Sequence, residues 1–139
     1  MANPKPALAK TLVNEGFYSN TPGDNGGETL WGIARVPNPT WEGWSIVDSL
    51  RSSSDFPNCL KHNAQLLELR DKFYIHKYWD IICGDDIINQ ESANELFDSS
   101  VNMGTHQAIV LTKRALSIAE TGHMDILTLT ALNTANPYA

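Results

Sequence analysis

The chain has 139 residues, enough for one domain with its own core, and its hydrophobic fraction of 42% is that of ordinary globular proteins. A formal net charge of −6 argues against nucleic acid as a partner, because phosphate binding needs a basic surface. No apolar run approaches the ~20 residues of a membrane span, so no stable membrane insertion is expected. Cys59 and Cys83 do not make a disulfide framework and read as buried, reduced thiols.

In chain order, "MANPKPALAKTLVNEG" lacks the sustained apolar stretch of a secretory signal and reads as a first helix. Asn3 caps it, Pro4 takes the first helical position, Leu8, Leu12 and Val13 form its apolar stripe, and Gly16 stops it. Residues 18–29 are rich in turn formers, and "DNGG" at 24–27 suits a tight hairpin turn. "TLWGIA", 29–34, is a strand candidate. "PNP" at 37–39 breaks the chain before a short helix containing Trp41, Trp44, Ile46, Val47 and Leu50. A loop, "SSSDFPN", precedes a helix over 60–79 carrying Leu66, Leu69 and Phe73, and "CGDD" at 83–86 is a turn. Ser92 and Glu95 have capping-box spacing, ahead of inward Ala93, Leu96, Phe97 and Val101, with Gly104 as terminator. Thr105 caps the next helix, with Ile109, Leu116 and Ala119 on one stripe and Gly122 at its end, and Asp125 caps a last helix through "ILTLTALN". The sum is a mainly α protein with one small β-hairpin lobe.

Chemistry concentrates in "NEGFYSNTPGDNGGETLWG", 14–32. If the first helix runs on to Glu15, Leu8, Leu12 and Glu15 share one face at ~100° per residue. Partial burial and the negative carbonyl end of a helix then both favour the protonated carboxyl, the state a general acid needs. Asp24, nine residues on, lies in a polar, glycine-rich turn that suits an ionised carboxylate. One protonated and one charged carboxyl flanking a cleft is the arrangement that cleaves glycosidic bonds. The hydroxyl of Thr29 can hold the attacking water or the Asp24 carboxylate. Equally, Glu15 is readable as a surface residue on a fraying helix end, and Asp24 as an ordinary turn residue.

Around this pair, Trp31 is readable as a sugar-stacking face or as core, and Tyr18 as a contact to substrate or to Asp24, or as the outer wall of the hairpin. Trp41, Trp44 and Trp79 read as packing residues. Asp98 and Asn102 share a helical stripe four apart; Asn102 either lines a sugar cleft or, like Asp98, satisfies backbone or inter-helix hydrogen bonds. Glu28 is the alternative second carboxylate, or else a solvated hairpin residue. His62, His76, His106 and His123 show no paired ligand spacing, and neither a nucleophile elbow nor a phosphate loop is present, so no metal or cofactor is expected.

"NEGFYSNTPGDNGGETLWGIAR" resembles the opening of glycoside hydrolase family 108, lysozyme-like N-acetylmuramidases that include secretion activator proteins and phage endolysins. The resemblance continues through "PNPTWEGW", "FYIHKYWD", "ANELFDSSVNMG" and "AIVLTKRAL". It implies one lysozyme-like domain over 1–139, with Glu15 as the catalytic glutamate. Asp24 and Thr29 resemble, with one residue fewer between them, the Glu-Asp-Thr triad of phage-type lysozymes. Glu-Gly-Phe stands where Glu-Gly-Gly is usual, so Phe17 sets a ring beside the acid. Residues from about 105 to 139 resemble the start of the family's peptidoglycan-binding segment, in a shortened form. The implied function is hydrolysis of the β-1,4 bond between N-acetylmuramic acid and N-acetylglucosamine in peptidoglycan, by a monomer made in the cytoplasm and released to the periplasm or wall by a holin-like route. The alternatives are a lytic transglycosylase on the same scaffold and a non-catalytic peptidoglycan-binding or secretion-accessory protein.

Overall fold

A computed structural model describes residues 1–135. The chain divides into two compact units, one formed by Leu12–Phe73 and the other by Met1–Thr11 together with the chain from Tyr74 onward.

The unit Leu12–Phe73 holds a three-stranded antiparallel sheet of β1 (Tyr18–Ser19), β2 (Thr29–Leu30) and β3 (Ile33–Ala34), in that spatial order. Tyr18 pairs with Leu30, and Leu30 pairs in turn with Ile33. "DNGG" turns as expected, the Asp24 carbonyl accepting the Gly27 N–H at 3.0 Å, but a second tight turn at Trp31-Gly32, at φ 47° and 82°, splits "TLWGIA" into two strands. Two successive positive φ values are the signature of a type I′ turn, whose twist matches that of the strands it joins. The "DNGG" turn lies in the longer connection between β1 and β2. Downstream come α2 (Gly43–Leu50), a 3₁₀ turn (Asn58–His62) and α3 (Ala64–Tyr74). The buried side chains here include Leu30, Ile33, Trp44, Val47, Leu60 and Leu66. Trp41 meets Trp44 edge to face at 5.1 Å and Phe73 at 6.1 Å, so these tryptophans pack as expected.

The other unit begins with α1 (Pro4–Leu12), where Asn3 Oδ1 caps the Lys5 N–H at 2.9 Å. Past α3 the chain widens into a π-helical turn (Ile75–Trp79), so the expected helix over 60–79 is three pieces: a 3₁₀ turn, α3 and this turn. α4 (Gln90–Met103) starts two residues before the expected cap. Asn89, in extended conformation, accepts the Ser92 N–H at 2.9 Å, so Ser92 is a helical residue and Glu95 pairs with Lys10 at 2.7 Å. Ala93, Leu96 and Phe97 are buried as expected; Val101 is only half-buried, and Ser100 takes the inner position. Gly104, at φ 90°, ends α4 and is itself the cap of α5 (Thr105–Ala115), displacing Thr105 from that role. α5 stops well short of Gly122, which leaves Ala119 exposed outside the helix. Asp125 caps α6 (Ile126–Thr134) as expected, taking the Thr128 N–H at 2.8 Å. The buried Lys113 ammonium ties this cap to α5 through Asp125 at 3.0 Å. Both cysteines are free but only half-buried, less enclosed than expected. The last four residues of the expected 105–139 segment lie outside the described residues.

Candidate active site

α1 ends at Leu12, so Glu15 is not on the helix. It lies in the turn that follows, its N–H donating to the Leu12 carbonyl at 3.2 Å, and it is half-buried. Val13 is 82% exposed, so the apolar stripe does not extend beyond Leu12; the buried face is Ala7, Leu8 and Thr11. Val13 and Asn14 are weak helix formers, which favours this early end. Gly16 at φ 70° reverses the chain in a conformation only glycine adopts freely, and the Phe17 carbonyl then accepts the Trp31 N–H at 2.6 Å. Glu15 is therefore held by backbone bonds on both sides rather than by a helical face.

Asp24 is exposed, and its Oδ1 accepts the Gly26 N–H at 3.2 Å while its carbonyl accepts the Gly27 N–H at 3.0 Å. Its first task is to shape the loop between β1 and β2. The half-buried Thr29 hydroxyl donates to the Gly27 carbonyl at 3.3 Å. The loop thus joins Asp24 and Thr29 through Gly27, not through a direct side-chain bond.

Glu28 is neither solvated nor free. It is 7% exposed and accepts hydrogen bonds from the Tyr18 hydroxyl at 2.6 Å, Arg35 at 2.8 Å and Arg51 at 3.0 Å. Asp48 closes the group, bound to Arg35 at 2.7 Å and to Arg51 at 2.8 Å. Burial alone would raise the Glu28 carboxyl, but the hydrogen bonds from Arg51, Tyr18 and Arg35 outweigh it and hold it below the ordinary value. Glu28 is thus a fixed anion, unsuited to donating a proton, and Tyr18 is committed to it rather than to Asp24. The sequence reading missed this network. Its signal was the Trp31-Gly32 turn: that register sets residue 28 opposite residue 35, where the Arg35 N–H meets the Glu28 carbonyl at 2.8 Å.

Trp31 is 8% exposed, in contact with Phe17 at 5.7 Å and beneath the Arg70 guanidinium at 4.8 Å. So enclosed, it offers no open face for a pyranose and serves as packing. Asn102 belongs to the other unit, where it is exposed and donates to Asp98 at 3.2 Å; Asp98 in turn accepts the Thr11 hydroxyl at 3.1 Å. Asp98 thus makes an inter-helix bond to α1, whereas the Asn102 bond stays within α4. A cavity of about 540 Å³ in the same unit is lined by α4, α5 and Leu132 and contains none of these candidates.

A mainly helical chain with a small antiparallel lobe, and a half-buried glutamate in the turn after its first helix, has the form of a lysozyme-like glycoside hydrolase. The glycosyl hydrolase 108 model matches residues 8–104, and the chain belongs to that family. Among solved structures it is similar to Brucella abortus SagA, with a TM-score of 0.62 and 20% identity over 96% of this chain and 70% of that one. At that identity the likeness is one of fold. Comparison with curated proteins gave no match.

Proposed function

We propose that the chain is a peptidoglycan hydrolase that cleaves the β-1,4 bond between N-acetylmuramic acid and N-acetylglucosamine, with Glu15 as general acid. The observation that carries this reading is the family match over 8–104, which contains Glu15 in its half-buried turn. Glu15 protonates the leaving glycosidic oxygen. Asp24, with one oxygen bound to the Gly26 N–H and the other directed to no partner among the described residues, positions water or stabilises developing charge. Thr29 supports it through the shared Gly27 turn. The chain acts as one domain on the wall after release by a holin-like route, with residues from about 105 contributing to peptidoglycan contact.

Digestion of purified peptidoglycan, with fragments identified by mass, tests the reading. The expected products carry reducing N-acetylmuramic ends, and Glu15→Gln lowers turnover by ~10²-fold or more with the melting temperature unchanged. Products with 1,6-anhydro ends would establish a lytic transglycosylase instead. Binding without any release, indifferent to Glu15→Gln, would establish an accessory protein.

A further inference from the structure

In the unit Leu12–Phe73, every lysine and arginine but one has a carboxylate partner among the described residues. Arg35 and Arg51 share Glu28 and Asp48, Arg70 holds Asp71 at 2.9 Å, and Lys72 holds Glu68 at 3.2 Å. Lys61 is the exception. It is exposed on the 3₁₀ turn Asn58–His62, anchored by the fully buried Leu60 beside it, and its ammonium lies 4.6 Å from the centre of the Phe17 ring. Phe17 is two residues from Glu15 and is itself backed by Trp31. An aromatic face attracts a cation without neutralising it. The charge is therefore held on a ring two residues along the chain from the candidate acid and kept available to an incoming anion, in a chain whose net charge is −6.

We propose that Lys61 is a specificity contact that recognises a peptide carboxylate carried by the glycan. This rests on the muramidase reading, because among wall glycans it is the muramic residue that bears a peptide. A strand stripped of peptide keeps its carboxylate on the lactyl group at the sugar ring, whereas a peptide-substituted strand carries its free carboxylates further out, on the peptide. The chain then distinguishes strands by the free carboxylates of their peptides.

The test is calorimetric affinity of the full chain carrying Glu15→Gln, with and without Lys61→Ala or Lys61→Arg. Three tetrasaccharides serve as probes: one with peptides bearing free carboxylates, one with those carboxylates amidated, and one with no peptide and its lactyl carboxyls capped as amides. Lys61→Ala should weaken only the carboxylate-bearing ligand, by about two- to fivefold, the range of an exposed ion pair. Lys61→Arg should preserve that preference, and added salt should erode it. Equal weakening for all three ligands, no weakening, or no initial preference for the free carboxylates would overturn the proposal. Cleavage by the unsubstituted chain is scored separately. A Lys61-dependent preference without cleavage refutes the hydrolase reading alone, and cleavage without that preference refutes this one alone.

Discussion

Glu28→Gln preserves shape and removes one charge from the Tyr18–Glu28–Arg35–Arg51–Asp48 network. A hydrogen bond to a charged group contributes about 1.5–3 kcal/mol, and Glu28 receives three donors at 2.6–3.0 Å. The losses do not add, because Arg35 and Arg51 are 34% and 39% exposed and keep Asp48. Solvent and Asp48 therefore take up much of the lost interaction, and the net cost is about 2–3 kcal/mol. For a chain of this size that is a fall in Tm of roughly 6–12 °C. Acid supplies the second half of the test. Glu28 titrates below its ordinary 4.5 in the folded chain, so its contribution is complete above that pH and is lost as pH falls through the lowered folded value. Asp48, held still lower by Arg35 and Arg51, gives way later. The gap between wild type and Glu28→Gln in thermal melts should stay constant from about pH 8 to 6 and close below about pH 4.5. A gap under about 2 °C at pH 7, or one that widens in acid, would refute the account of Glu28 as an ionised brace.

Two further substitutions separate local readings. Asn89→Ala removes the cap of α4 and should cost about 1 kcal/mol in chemical denaturation, whereas Ser92→Ala should cost less than about 0.5; the reverse order would restore Ser92 as the cap. Gly84→Ala places a Cβ inside the indole of Trp79, which is 1% exposed and fixed by its N–H to Asp85 at 2.9 Å, so a loss of about 2–3 kcal/mol is expected; a melting curve like that of wild type would show that the indole can move.

The helices were legible where a single local interaction decides them. Asn3 before Pro4 and Asp125 before "ILT" each offer one acceptor to an unpaired N–H, and both cap as read. Where two acceptors compete, spacing alone misleads. Asn89 and Ser92 both precede the apolar positions of α4, and the earlier one captures the helix because it can start it sooner without breaking the inward face. The second turn of the lobe, at Trp31-Gly32, was not legible because a tryptophan is a poor turn residue. Asp-Asn-Gly-Gly does turn, yet without a further reversal Leu30 and Ile33 would lie on one continuous strand. Turning at Trp31-Gly32 pairs those two residues and buries both, at 0% and 1% exposure. The cost of about 1–2 kcal/mol for a left-handed Trp31 is outweighed by two buried aliphatic side chains worth about 1.5–3 kcal/mol each.

The same turn bears on the candidate acid. Trp31 occupies a left-handed conformation that a bulky residue adopts only under compulsion, and the compulsion is visible: its ring is enclosed by Phe17 and Arg70, and its N–H reaches back to the Phe17 carbonyl at 2.6 Å. That bond fixes the chain two residues after Glu15, and the Leu12 carbonyl fixes it at Glu15 itself. Helical periodicity sets Glu15 on a helix face, whereas a glycine-hinged turn carries it instead. A turn clamped at both ends needs fewer coincidences than a helix face. A helix must keep its 3.6-residue phase over its whole length, whereas this turn depends on Gly16 and on a β2–β3 register that packing has already decided.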